Sequence, residues 1–256
     1  MAITVKGLAT TAVKGTRLRA VESILLDGEG ARGNRCFYVI DGRGRMVNGK
    51  PLGGLQTIVS DYDADSGELA LTFASGEAVR GPVAYGDPIE TRFFSEPRQA
   101  RELVGPWSEA LSAALGRPLR LVQDGTPAVD RGREGAVSLI SRGSLARLAQ
   151  VAEVDSIDVR RFRMLIEIDG VEAHAEDAWV RRQVRVGAAL LSFAGHVGRC
   201  LITTRNPDSG VVDSETLDAL ISYRRELAST EPIPFGIYGA VLEGGAISVG
   251  DAVEVL

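Results

Sequence analysis

The stretch GHVGRCLITTRNPDSG, residues 195–210, gathers the residue types best suited to chemistry. It holds Cys200, one of only two cysteines among 256 residues, preceded by Arg199 and followed by the hydroxyls of Thr203 and Thr204. A neighbouring cation favours the thiolate, the form that attacks electrophiles and binds soft metals. Gly195 and Gly198 allow the backbone before it to turn tightly or approach another group closely. The bland alternative is that Cys200 is a small buried hydrophobe in a strand. The residue types favour a reactive or metal-binding thiolate, and spacing leaves those two open. His196, beside this loop, is either a proton donor near neutral pH or a surface histidine. Cys36, in the alternating run RCFYVI, reads as structural.

These residues must be positioned by short elements. CFYVIDGRGRMVNG reads as two strands around DGRG, and GELALTFASGEAVRG as two more around SGE. PWSEALSAALGRP reads as a short helix stopped by Gly116, followed by the strand LRLVQ. Residues 123–135, polar and without apolar periodicity, read as a linker or loop between two regions. Then come the strand AVSLIS, a helix SLARLAQVAEV capped by Ser144, the strand RFRMLIEIDG, and an alternating run around Gly187. Leu217, Leu220, Ile221 and Leu227 form one apolar stripe of a helix capped by Asp213 or Ser214. AVLEGGAISVGDAVEVL reads as a hairpin around EGG and a last strand. Among the aromatics, Trp179 and Phe235 read as core.

Composition agrees with many brief strands: 30 glycines, 5% aromatic residues and short apolar runs favour a mainly β, α+β protein. A closed or nearly closed barrel would remove the exposed edges of so many strands. A net charge of −5 argues against nonspecific nucleic-acid binding, which needs a basic face. With no signal-like N-terminus and no long apolar run, the expectation is a cytoplasmic protein with no membrane span. Two cysteines and two histidines exclude a four-cysteine zinc or iron–sulfur site from this chain alone. In a reducing cytosol both thiols are expected to be free.

RCLITTRNPDSG, with the upstream RFRMLIEIDG and AEDAW and the downstream PFGIY and VGDAVEVL, resembles the MOSC domain, named from the C-terminal part of molybdenum cofactor sulfurase. TAVKG and GARGNRCFYVIDGRGRMV resemble the β-barrel region that precedes it in amidoxime-reducing components. The resemblance implies a MOSC-type β-barrel with peripheral helices over residues 124–256 and an N-terminal β-barrel-like region over 1–122. It also implies that Cys200 ligates the metal of a molybdenum cofactor (Mo-molybdopterin), and that Lys14, Arg35, Arg163 and Arg199 face the cofactor's phosphate and pterin. Cations of this kind offer charge-assisted hydrogen bonds. Three positions depart from the family pattern: where R-P-N is usual the chain has Arg163 followed by Met164 and Leu165, and Gly198 replaces a frequent serine.

The activity so implied is reduction of N-oxygenated small molecules, such as N-hydroxylated amidines or hydroxylamines. The chain has no cysteine set for an iron–sulfur cluster and no GxGxxG unit opening a helix after a strand. The electrons must therefore come from an external protein of ferredoxin, flavodoxin or cytochrome b5-like type. Two other readings keep Cys200: sulfur transfer or carbon–sulfur cleavage without metal, and a non-catalytic cofactor carrier.

Overall fold

The computed structural model describes residues 2–126 and 132–256, so part of the expected linker at 123–135 lies outside the described residues. The largest sheet has eight strands in the order Val253–Val255, Gln183–Val186, Ala189–Gly198, Pro234–Glu243, Val137–Ser141, Ile166–Asp169, Thr4–Thr10 and Arg19–Val21. Val137–Ser141 and Ile166–Asp169 run parallel, so the chain between them must cross over, and helix α2 (Arg142–Val151) lies on that crossover. The other pairings in this sheet are antiparallel.

The expected barrel is a curled sheet rather than a ladder closed all round. An isolated bridge between Thr4 and Ala252 joins the first strand to the end of the chain. The Val5 N–H donates to Asp251 O at 2.8 Å and the Val253 N–H to Ile3 O at 3.0 Å. Inside the curl, alternate residues from most strands, among them Val5, Leu139, Ile168, Val184, Phe193 and Ile237, form one buried cluster.

Residues 36–123 supply a three-stranded meander and a five-stranded sheet whose two edges meet at an isolated bridge between Arg45 and Arg92, where the Arg92 N–H donates to Gly44 O at 2.8 Å. The larger sheet runs Ala84–Phe93, Glu96–Val104, Leu119–Gln123, Tyr38–Asp41 and Met46–Val47, and the meander Val59–Asp63, Glu68–Thr72 and Ala78–Pro82. The hairpins expected around DGRG and SGE are both present. Helix α1 (Trp107–Leu115) ends at Gly116, whose φ of 66° places it in the left-handed region that terminates helices. It buries Trp107 and Leu111 against Val39, Leu69, Leu71 and Leu121, and Trp107 Nε1 donates to Leu69 O.

Several sequence expectations are corrected. Gly245–Ser248 does not form a hairpin with Pro234–Glu243; it pairs with Ser23–Asp27, 220 residues away, where Ile247 joins Ile24 and Leu26 in the buried cluster. The cap of α2 is Ser141, whose extended backbone lets its Oγ accept the Ser144 N–H at 3.1 Å. Ser144 lies inside the helix and donates to Glu176. Helix α3 (Thr216–Arg224) begins after Glu215, which makes no side-chain cap. It stops before Leu227, which is exposed. Strands from the first 31 residues thus share sheets with the C-terminal half. We propose the division into 1–122 and 124–256 as an order of sequence units, not as two separate bodies.

Candidate functional site

The strand Ala189–Gly198 leads straight to Cys200. Its register against Pro234–Glu243 slips between His196 and Gly198, and the pairing ends with Gly198 opposite Pro234. Arg199 N–H then donates to Ile233 O, and Cys200 is extended before a short 3-10 turn, Leu201–Thr204. Both threonines serve this turn: Thr203 Oγ1 donates to Cys200 O at 3.1 Å and Thr204 Oγ1 to Leu201 O at 2.8 Å. Their first task is to set the backbone at Cys200.

The rest of the motif anchors the loop to its surroundings. Asn206 Oδ1 accepts the N–H groups of Asp208 and Ser209, folding the chain back. Gly210 is needed because a Cβ there would lie 1.9 Å from Gly53 O, so the loop presses directly on the N-terminal half. Arg160 grips both carboxylate oxygens of Asp208, and Arg161 bonds Asp213 and Arg205 O. Those guanidinium hydrogen bonds hold the Asp208 and Asp213 carboxyls below the usual carboxylate range.

Lys14, Arg35, Arg163, Arg199 and Cys200 line one cavity of about 390 Å³. The first three arrive from separate loops. Arg35 and Arg163 both take positive φ, 51° and 55°, and Arg35 Nη2 donates to Arg163 O at 2.6 Å. Arg163 in turn donates to Thr16 O, two residues from Lys14. Lys14 Nζ sits 5.6 Å from the ring centres of Phe93 and Phe94. Arg199 differs from them. Its guanidinium is turned into the protein, donating to Phe162 O at 2.7 Å and Phe235 O at 2.8 Å and contacting Met164 Sδ at 3.0 Å. At 9% exposure it clamps three segments behind Cys200.

The departures acquire local reasons. Met164 sits in the clamp, with its Cε 2.8 Å from where a Cβ on Gly236 would be, so the glycine of PFGIY makes room for it. Leu165 is buried in the main cluster, while Ser138, which does line the cavity, bonds the Leu165 N–H with its Oγ. At Gly198 a Cβ would meet Glu231 and Pro232 at 3.1 Å, so a serine there would be crowded.

Sequence reasoning missed several cavity residues. Asn48, Gly49 and Lys50 reach the lining from a turn visible in VNGK, whose partners across the fold no local pattern reveals. Behind Gly49 lies Gln56, 2% exposed, with its Nε2 lacking a hydrogen-bond partner in the described structure. That nitrogen is 3.6 Å from the place of a Gly49 Cβ. Phe94 also lines the cavity.

His196 is buried rather than a surface residue, and it is not among the cavity-lining residues. Its Nε2 lies 3.8 Å from Asp177 Oδ1, beyond hydrogen-bond reach, while Asp177 Oδ2 accepts from Arg224 at 2.7 Å. Nearby, burial pulls the His174 imidazole down to about 4, and its ring meets those of Tyr223 and Phe235. Trp179 and Phe235 are buried as expected. Cys36, half-buried, packs against the N-terminal core, and burial raises its thiol to about 11. Among the described residues no three His, Cys, Asp or Glu side chains cluster so as to hold a metal, and no helix is long and apolar enough to cross a membrane.

Comparison with known proteins adds relatives to this geometry. Mitochondrial amidoxime-reducing component 1 of Xenopus laevis is 38% identical over 124 residues, 46% of this chain and 35% of that protein. The Danio rerio protein of the same name is 28% identical over 244 residues, 86% of this chain and 73% of that protein. The stretch matched thus spans about a third of the frog protein. The solved YUAD protein from Bacillus subtilis aligns over 100% of this chain and 96% of that one, at 12% identity and a TM-score of 0.46. The MOSC domain family matches residues 126–254, half of the chain and all of the Cys200 motif, and the chain belongs to that family.

Proposed function

We propose that this protein binds the molybdenum cofactor and reduces N-hydroxylated small molecules with electrons from a separate protein. The observation that carries this reading is the convergence of Cys200, Lys14, Arg35 and Arg163 on one cavity, although they come from four separate segments. The donor set fits the group. One thiol and the cations Lys14, Arg35, Lys50 and Arg163, with no cluster of metal-ligating side chains among the described residues, suit a metal that arrives with its own sulfur ligands and an anionic phosphate. The orphaned amide of Gln56 behind Gly49 is a further donor suited to an oxygen-rich ligand.

When bound, the cofactor supplies a two-electron centre able to take up the oxygen of an N–O bond. The protein does the rest. Cys200 Sγ would ligate the metal, held at the end of a strand by Thr203 and by the Arg199 clamp. Lys14, Arg35 and Arg163 would neutralise the phosphate and orient the pterin. Arg199 we assign to positioning, since its donors are directed to Phe162 and Phe235 carbonyls. Over the whole reaction the N–O bond breaks, two electrons and two protons enter, and an N–H compound and water leave. A ferredoxin, flavodoxin or cytochrome b5-like protein would deliver the electrons.

The test is the molybdenum-to-protein ratio of wild type and Cys200→Ala, both produced in a host that makes the cofactor. Wild type is expected near one metal per chain, with Cys200→Ala at least about tenfold lower or spectrally altered. Wild type free of molybdenum and pterin would overturn the proposal, and a persulfide on Cys200 would then favour sulfur transfer.

A further inference from the structure

Phe94 is an unusual residue for its place. It is the first residue of the two-residue turn between the strands Ala84–Phe93 and Glu96–Val104, with Phe93 paired to Glu96. Its φ is 53°, a conformation that glycine or asparagine adopts with little strain and a bulky aromatic rarely does. Turn chemistry therefore does not account for a phenylalanine here. Nor does the core, because the side chain is 64% exposed. It lines the same cavity as Cys200.

Its support is built in. Phe93, 1% exposed, meets the Phe94 ring edge to face at 5.2 Å, and Lys14 Nζ stands 5.6 Å from both ring centres. The ring is thus held from below by a buried aromatic and from one side by a cation, while much of its surface is open. Phe162, another ring in the lining, is 2% exposed, and the Arg199 guanidinium lies 5.2 Å from its centre. The cationic wall suits an anion; the open ring of Phe94 suits the uncharged, planar part of a ligand. Strain retained at a cavity mouth is commonly tied to what the cavity binds.

We infer that Phe94 is a specificity residue: it stacks on the substrate and makes the site favour N-hydroxylated compounds bearing an aromatic ring over aliphatic ones. The inference rests on the proposed reductase reading for the chemistry, but its binding claim stands apart from turnover. A suitable probe pair is N-phenylhydroxylamine and N-methylhydroxylamine, which share the reacting group and differ in the ring.

The experiment uses the full chain from a cofactor-making host, as wild type, Phe94→Leu, Phe94→Trp and Phe94→Gly. The glycine variant relieves the positive φ, so it guards against misfolding as an explanation. The ratio of kcat/KM for the aromatic over the aliphatic probe is expected to fall about three- to tenfold in the leucine and glycine variants and to be retained with tryptophan. Without reductant, saturation transfer from protein to the phenyl protons is expected to weaken in the same two variants. An unchanged ratio, or unchanged transfer, overturns the inference. Loss of molybdenum from wild type would instead overturn the reductase reading, leaving the transfer measurement to decide the role of Phe94.

Discussion

The chain contains two Arg-Cys pairs, Arg35-Cys36 and Arg199-Cys200, and they are mounted in opposite senses. At the first, the arginine lines the cavity while the cysteine packs against the N-terminal core. At the second, both residues border the cavity, but the arginine's guanidinium is turned away, buried on the carbonyls of Phe162 and Phe235. The same dipeptide thus supplies a cation at one point of the wall and a thiol at another. The difference lies in the backbone that presents them. Arg35 has positive φ and its N–H donates to Thr11 O, whereas Cys200 is extended at the end of a long strand. An arginine beside a cysteine in sequence therefore says little about whether its charge acts on that thiol.

The largest effect that sharpens this contrast is on stability. Arg199→Met leaves two backbone carbonyls without their charged donor and is expected to lower the unfolding free energy by about 3 kcal/mol. Arg35→Met, at a half-buried position, should lower it by about 1 kcal/mol or less. Guanidinium titrations of both variants check this, and equal losses would break the contrast.

Reactivity should separate the thiols next. The Cys36 thiol, pushed from 9.0 to about 11 by burial and by Asp27 and Glu29, holds roughly a hundredfold less thiolate at pH 8 than an unperturbed one. Iodoacetamide followed by peptide mass spectrometry should find Cys200 labelled well before Cys36, with Cys36 catching up only toward pH 11. Early labelling of Cys36 would mean that it, too, reaches the cavity.

The smallest effect concerns pH. Behind the Arg199 clamp, His174 abuts Phe235 and is held neutral by burial, with Arg224 and Arg147 opposing its protonation and Asp177 favouring it. Its folded value, about 4, lies below the unfolded 6.5, so the unfolded chain binds the extra proton first. The stability this neutral histidine contributes is complete above about pH 6.5 and is lost as pH falls toward 4. The protection factors of the Phe235 and Ile237 amides, taken against the intrinsic rate at each pH, should fall as pH drops through that window in wild type and less so in His174→Gln, while those around Cys36 do neither. A uniform response across the molecule would erase the distinction between the two sides.

Much of this protein is legible from local sequence because hairpins, caps and short strands depend on neighbours a few residues away. Alternation gave the paired strands at 38–47 and 68–82, Gly116 marked the end of α1, and the Cys200 motif drew attention to a loop whose threonines and glycine all prove to shape its backbone. Even so, capping at Ser141 instead of Ser144 was decided by which hydroxyl sits on an extended residue.

What the sequence by itself determined is therefore a mainly β chain with Cys200 set in a loop shaped by its own threonines and glycines. Only the tertiary structure decided which residues share the cavity. Pairing of Gly245–Ser248 with Ser23–Asp27, contact of Gly210 with Gly53, and the arrival of Phe94 and Asn48 in the cavity that Cys200 lines join segments far apart in sequence. Such contacts depend on burying the faces of several strands at once, so no spacing within a single stretch can announce them.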